Sequence, residues 1–530
     1  MTTQRKILLL VLSCCGIFAQ PPEEWNKQAE QTLRNALKLE TLNRNVAKNV
    51  VIILGDGMGF PTITSARILK GQLDGKTGEE TVLHMDSLPY VALAKTYNTD
   101  QQVADSAGTA TAILCGVKTK AGVVGVHDGA VRKDCKSGLR SPVVSVLQLA
   151  HEAGKSTGIV TTTRVTHATP ACAYAHSAER EWESNNQIPV EQRLHGCTDI
   201  ALQLLDKDIQ VVLGGGRKHF LRIDERDPED MNSFGARTDE RNLIDEWIAK
   251  RSQDGNASYV WNQKQFDAVD PSKSDYLLGL FENGHMQYHG NRDKDIAGEP
   301  TLAEMVDKAV RILQKNDKGF LLLIEGGRID HSHHDGIAYH ALVDTIAMDD
   351  AVKTVLDMTS STDTLTIVTA DHSHVNAIVG YPSRGNPILG VNDKRVGLDG
   401  LPYTTLMYVD GPGGTEVQTS FMENGTRPNI TNVDTESSSY VQQAVIPLKD
   451  ESHGGEDIPI YADGPMAHLF HGTHEQHYIA HVIKYAACLG NSTEHCDDRN
   501  AIGGASTIYN NYIVIWHVII LTAALNNFTT

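Results

Sequence analysis

Four short apolar runs punctuate this chain, and each stops at residues that carry chemistry. The run 49–54 ends in Gly55, Asp56, Gly57, Met58 and Gly59. The run 156–161 leads through a threonine-rich stretch to His167 and Thr169. The run 319–324 ends in Glu325, followed by Asp330 and His334, and the run 364–369 ends in Ala370, Asp371, His372, Ser373 and His374. Short runs rich in Val, Ile and Leu and bounded by turn residues read as buried strands, as in parallel sheets. From 49 to about 379 they alternate with helical patterns. That predicts an α/β fold with a central, mainly parallel sheet flanked by helices on both faces.

Other stretches break the rhythm. A helix candidate over 23–42 places Ala29, Leu33, Ala36, Leu37 and Leu42 on one side. An irregular insertion runs over 222–299. Over 381–450 Gly, Pro, Ser, Thr and Asn dominate around a strand-like piece at 404–409, which predicts an inserted, loop-rich subdomain. The core pattern resumes over 451–500, with His453 near its start and a helical stretch at 475–489. The core is thus expected over 20–380 and 451–500.

In open α/β sheets, ligands bind beyond the carboxyl ends of the strands. One strand end with Asp and Gly means little, because these are ordinary turn residues. Four ends offering Asp, Glu, His or Thr together point to a multi-metal site. Asp330 and His334 are four apart, which puts them on one face of a helix starting there. Carboxylate and imidazole at that spacing suit zinc. Ser106 opens a run of small residues, 105–112, that reads as a helix start. An isolated Ser there is ordinarily an N-cap. A helix N-terminus also stabilises an alkoxide and a phosphate oxyanion, and metal coordination activates a serine hydroxyl. No Gly-x-Ser-x-Gly elbow surrounds Ser106, which disfavours a hydrolase triad.

The 530 residues are 40% hydrophobic and 21% charged, values of a soluble globular protein. A formal net charge of −19 argues against nucleic acid as a partner. For an anionic substrate it poses a difficulty that bound cations would remove, by reversing the local field. Arg5 and Lys6 precede an apolar stretch ending near Ala19, so 1–19 reads as a signal peptide. A hydrophobic block over 512–525 sits almost at the chain end behind small residues Gly503 to Ser506. This is the layout of a glycosylphosphatidylinositol attachment signal over 501–530, with attachment from Asn500 to Ser506; a single-pass anchor is the alternative. Sequons at Asn256, Asn424, Asn429 and Asn491 fit a secreted glycoprotein. An oxidising compartment permits disulfides, but spacing does not settle their pairing.

The segments 56–59, 105–111, 325–334 and 369–374 together resemble animal alkaline phosphatases, over nearly the whole mature chain. The resemblance implies a metal-dependent phosphomonoesterase that works through a phosphoserine, with roles carried over residue by residue. Ser106 is the implied nucleophile and Arg180 the phosphate clamp, although Arg180 alone reads as a surface helix charge. His167 follows the animal rather than the bacterial pattern and joins the implied catalytic set. Asp330, His334 and His453 would hold a first zinc, and Asp56, Asp371 and His372, with Ser106, a second. Asp56, Thr169 and Glu325 would hold magnesium. Glu229, the Phe281 carbonyl, Glu282 and Glu299 would hold calcium, with Glu299 standing where Asp is usual. The implied disulfides are Cys135–Cys197 and Cys488–Cys496, leaving Cys115 and Cys172 free. The 381–450 insertion resembles the family's crown. A homodimer at the extracellular face of the plasma membrane, held by the lipid anchor, is expected.

Three alternatives stand beside this reading. A two-metal phosphodiesterase would leave Glu325 and Thr169 idle. A sulfatase needs its nucleophile followed by x-Pro-x-Arg, whereas Ser106 is followed by Ala, Gly and Thr. A surface binding protein without catalysis would not need the full ligand set.

Overall fold

A computed structural model describes residues 22–37, 39, 42–491 and 496. The expected leader and anchor signal lie outside the described residues. Residues 1–42 form a unit of their own, in which Pro22–Leu37 is a helix with Leu33 and Leu37 exposed.

The second unit is built on a ten-stranded sheet. Its strands run in the order Gly472–Glu475, Tyr90–Lys95, Ile458–Asp463, Thr364–Ala370, Asn49–Gly55, Phe320–Gly326, Ser156–Arg164, Val211–Gly215, Tyr276–Leu280 and Ala257–Val260. Each neighbouring pair from Thr364–Ala370 to Ala257–Val260 is parallel, and only Ile458–Asp463 runs against the rest. The three central strands are buried from end to end, apart from Asn49; Thr364–Ala370 carries three threonines into that burial. Removing one buried apolar side chain, for example Ile52→Ala, costs about 2–5 kcal/mol.

Register turns this core into a platform. Leu54 pairs with both Glu325 and Thr369, and Glu325 pairs with Thr161. Asp56 and Asp371 therefore leave the sheet at one level, each two residues beyond that row. The chain order of the strands reverses here, at a topological switch point where ligand crevices form. Gly57 makes the turn with φ +70°, and a Cβ there would come within 2.4 Å of the His374 ring. A Cβ on Gly59 would meet Ser373 Oγ at 1.9 Å, so both glycines let the loop after Asn49–Gly55 lie against the segment Ser373–His374.

The inserted segment carries a small sheet of Asn376–Ile378, Leu406–Gly411 and Ala444–Pro447. Its Ile388, Leu389, Leu406, Tyr408 and Ala444 share an apolar cluster with Ala66, Leu69, Ala338 and Leu342 of the helices Phe60–Leu73 and Ala338–Met358. The strand-like piece expected at 404–409 is the strand Leu406–Gly411. The helix expected at 475–489 covers Tyr478–Ala487, because Gly472–Glu475 is consumed as an edge strand pairing with Tyr90–Lys95.

Candidate active site and metal centre

Ser106 is the first residue of the helix Ser106–Cys115. The N-cap is Asp105, not Ser106: its Oδ1 accepts from Gly108 N at 3.0 Å. That leaves the Ser106 hydroxyl free to point at the strand ends. Its Oγ lies 3.4 Å from Asp56 Oδ1 and 3.2 Å from His372 Nε2. Asp105 Oδ2 accepts from Gly122 N and holds Arg180 Nη1 at 3.2 Å, while Arg180 Nη2 lies 3.1 Å from His167 Nε2. Arg180 is therefore part of this site, against the surface-charge reading it invites in isolation.

The first expected ligand set closes into a triangle. His334 Nε2 and His453 Nε2 are 3.0 Å apart, and Asp330 Oδ1 lies 3.4 and 3.3 Å from them. Backbone carbonyls orient both rings: His334 Nδ1 faces Glu451 O at 2.5 Å and His453 Nδ1 faces Ala104 O at 2.7 Å. Each carbonyl takes the Nδ1 proton, so each Nε2 keeps its lone pair for an ion, a usual arrangement behind metal-bound histidines. Helical spacing brought Asp330 to His334, whereas His453 arrives through the antiparallel pairing of His453–Gly454 with Ser373–His374.

His374, which closes the 369–374 segment without an assigned role, is central. Its Nε2 lies 2.8 Å from Asp330 Oδ1 and its Nδ1 meets the Glu451 carboxylate. Burial pushes this imidazole down, but Glu451 and Asp330 outweigh burial and lift it to about 10. It is a charged brace behind Asp330 rather than a free ligand. Burial likewise pushes Asp330 up, yet His334, His374 and His453 hold it well below the ordinary carboxylate range.

The second set shares a buried corner. His372 Nε2 lies 3.2 Å from Asp371 Oδ2 and 3.4 Å from Asp56 Oδ1, and its ring stacks on His453 at 3.6 Å. Asp371 Oδ1 accepts from Gly57 N and His372 N, and Thr109 Oγ1 stands 3.1 Å from Oδ2. Burial and then Asp371 raise Asp56 well above its ordinary value; burial also raises Asp371, and burial with His453 depresses His372. Carboxylates packed this closely in a dry site need cations.

The third set has an independent signature. Asp56 Oδ2, Glu325 Oε1, Thr169 Oγ1 and His167 Nδ1 are all buried without a hydrogen-bond partner. Asp56, His167 and Glu325 can bring ligand atoms within 4.8 Å of one another. Orphaned buried polar atoms are costly, and three residues that carry them and come this close fit a bound ion, with the Thr169 side chain reaching Glu325. Glu325 Oε2 is taken by Thr161 and Thr163, and burial lifts the carboxyl to about 7.

The stretch 222–299 is not the irregular insertion expected from its sequence: it contributes the strands Ala257–Val260 and Tyr276–Leu280 to the edge of the central sheet, because Tyr276–Leu280 is a buried run that pairs with Val211–Gly215. Within this stretch Glu229, Glu282 and Asp295 form one group. Glu299 lies outside that tight cluster. It is buried, its Oε1 accepts from Gln287 N at 3.0 Å, and its Oε2 has no partner. Burial and Glu282 push it up to about 9, and burial with Asp295 and Glu282 takes Glu229 to about 8. Phe281 follows the strand Tyr276–Leu280 and delivers Glu282 from a fixed end. Asp295 has an isolated acidic side chain in an irregular stretch, with no periodic signal to mark it.

Cys135 is bonded to Cys197 and Cys488 to Cys496, while Cys115 and Cys172 are free and buried. Asn256, Asn424, Asn429 and Asn491 are all exposed.

The family model described as alkaline phosphatase matches residues 47–489. The chain belongs to the alkaline phosphatase family. It is 51% identical to the tissue-nonspecific alkaline phosphatase of Felis catus, over 94% of this chain and 96% of that one. It is 50% identical to that of Homo sapiens, over 94% and 95%, and 50% identical to the alkaline phosphatase of Gadus morhua, over 90% and 99%. Among solved structures, the alkaline phosphatase of the Antarctic bacterium TAB5 aligns with TM-score 0.57 at 21% identity, covering 84% of this chain and all of that one. That of Thermus thermophilus aligns with TM-score 0.59 at 23% identity, over 86% and 94%. At these identities the two bacterial structures attest the alkaline phosphatase fold and no more.

Proposed function

We propose that this member of the alkaline phosphatase family hydrolyses phosphate monoesters to an alcohol and inorganic phosphate through phosphorylated Ser106. The observation that carries the reading is Ser106 Oγ at a helix head, 3.4 Å from Asp56 and 3.2 Å from His372, between groups built to hold cations. Asp330, His334 and His453 would hold one zinc, and Asp56, Asp371 and His372 another. Asp56, Thr169 and Glu325 would hold magnesium, with His167 beside them. Bound there, these ions would supply Lewis-acid polarisation and charge neutralisation for an in-line displacement.

The chain's own groups do the rest. Ser106 Oγ attacks phosphorus, the alcohol leaves, and water then displaces serine from phosphorus. Arg180 offers parallel donors to the phosphoryl oxygens, and Asp105 fixes its plane. The helix N-terminus adds partial positive charge where the serine oxyanion forms. Burial of Asp56, Asp371, His372 and Glu325 keeps the field strong by excluding water. The idle third set that a two-metal phosphodiesterase would carry is at odds with the buried, unpartnered atoms of Asp56, His167 and Glu325, residues that come close enough to share an ion.

Glu229, Phe281, Glu282 and Asp295, with Glu299 behind them, would hold calcium away from the chemistry. The chain would work as an extracellular, glycosylated homodimer on a glycosylphosphatidylinositol anchor. No helix among the described residues is long and apolar enough to cross a membrane.

The test is p-nitrophenyl phosphate hydrolysis at alkaline pH by protein ending near Asn500, with and without chelator, beside Ser106→Ala and a diester. Activity removed by chelation, restored by zinc and magnesium, and lost in Ser106→Ala supports the reading. A preference for the diester overturns it.

A further inference from the structure

Five histidines lie between residues 468 and 481: His468, His471, His474, His477 and His481. None belongs to the groups around Ser106. His471 and His474 are engaged locally, and His468, whose Nδ1 lacks a hydrogen-bond partner, stands apart from the helix that carries His481. His471 Nδ1 faces His468 O at 3.0 Å, and His474 Nε2 faces His471 O at 2.6 Å, with its ring stacked on Tyr478 at 4.2 Å.

His477 and His481 are arranged differently. His477 caps the helix Tyr478–Ala487 in helical conformation, with φ −64° and ψ −14°. The pair is thus an i, i+4 pair on one helix face. Their ring centroids are 5.7 Å apart and the planes cross at 81°. His481 Nε2 lies 3.1 Å from Gly116 O. A carbonyl only accepts, so Nε2 carries the proton and Nδ1 keeps its lone pair. His477 Nδ1 has no hydrogen-bond partner. Two imidazoles on one zinc, with bonds of about 2.0–2.1 Å, have centroids roughly 5 Å apart, so small side-chain rotations suffice. Gly116 O orients His481 by the same device that orients His334 and His453 in the centre.

We propose that His477 and His481 form a surface site for a divalent transition ion of the zinc class, separate from the ions around Ser106. Neutral imidazoles select zinc, nickel or copper over calcium and magnesium. Glu475 is tied to Lys95 at 3.1 Å and Lys118 at 3.0 Å, so water completes the coordination. The surrounding charges set the strength. Glu475 and the C-terminus of the helix Ser106–Cys115, which closes at Gly116, attract a cation; Lys118, Lys484 and the N-terminus of the histidines' own helix repel one. Binding is therefore weaker than in the buried centre and follows free metal concentration. An ion here stabilises the folded chain by mass action.

The test uses the full chain already loaded with its metals. Zinc per chain is counted by equilibrium dialysis and elemental analysis at stepped free zinc, with Tm read in parallel. Wild type is expected to take up one more zinc per chain than His477→Gln/His481→Gln. Added zinc should raise Tm in wild type only, with p-nitrophenyl phosphate hydrolysis equal in both. The control His471→Gln/His474→Gln should keep the extra ion. His477→Gln alone disturbs no hydrogen bond of the ring's Nδ1 and must by itself lower the count, which guards against misfolding of the double variant. An unchanged count in the double and single variants, or a loss confined to the control, overturns the proposal. The count is read independently of hydrolysis, so this outcome is separate from the fate of the proposed activity.

Discussion

Two parts of the molecule gather acidic residues, and they do so by different means. At the sheet's carboxyl edge, parallel strands launch Asp56 and Asp371 at one level, and Glu325 stands in the row two residues before them. In the stretch 222–299, only Glu282 follows a strand directly; Glu229, Asp295 and Glu299 come from irregular chain. The strand-end residues Asp56, Asp371 and His372 come together in one group that could hold an ion. In the stretch 222–299, Asp295 takes a place in the cluster and Glu299 sits beside it. Successive pairings of neighbouring strands fix the strand ends relative to one another, so the residues launched from those ends are positioned by the sheet. A loop has no such rule, and each residue is placed by its own contacts.

The comparison can be broken in order of effect. Ser106→Ala should lower kcat by roughly 10⁴-fold or more, since nucleophile and surrounding groups act as a unit; a loss below tenfold in steady-state assays would separate the strand-end geometry from the chemistry. Chelation should abolish hydrolysis and lower Tm, with zinc and magnesium together restoring both. Full activity in a preparation shown by elemental analysis to be metal-free would refute the centre.

Glu451→Gln removes the partner that keeps His374 charged behind Asp330. Zinc affinity should fall about 10–100-fold, measured by competition with a chromogenic chelator, and excess zinc should restore activity. In the stretch 222–299 the effects should be smaller and confined to stability. Asp295→Asn should reduce the calcium-dependent rise in Tm more than Glu299→Gln, with kcat unchanged in both. The reverse order would return Glu299 to the cluster.

The smallest effect is a pH trend in calcium-free protein. Glu229 and Glu299 are raised to about 8 and about 9 in the folded chain, above their ordinary value. The folded state then binds more protons than the unfolded state between about 4.5 and 9, so stability falls as pH rises through that window. Calcium should oppose the fall, most at the alkaline end. A Tm that rises with pH in calcium-free protein would contradict the assignment.

The legible parts of the site were those with a local signature. Asp330 and His334 show themselves by helical spacing, and Asp56, Glu325 and Asp371 by apolar runs that stop at them. The N-cap role of Asp105, next to the residue that looked like the cap, was not legible, because both residue types cap helices well. His374 and Glu451 stayed hidden because their importance is a mutual contact between distant segments. Arg180 carries no mark in its own neighbourhood, and only the resemblance to a family placed it.

The amino-acid sequence by itself determined which segments must be buried strands, where each stops and which metal-binding residue types follow. Apolar burial and backbone pairing act on local pattern, so those outcomes follow from the string of residues. The tertiary structure decided which strand ends meet, that His453 faces His334 across 3.0 Å, and that Asp295 rather than Glu299 enters the acidic cluster. Those are distances between groups far apart in the chain, and they exist only once register and packing have closed the sheet.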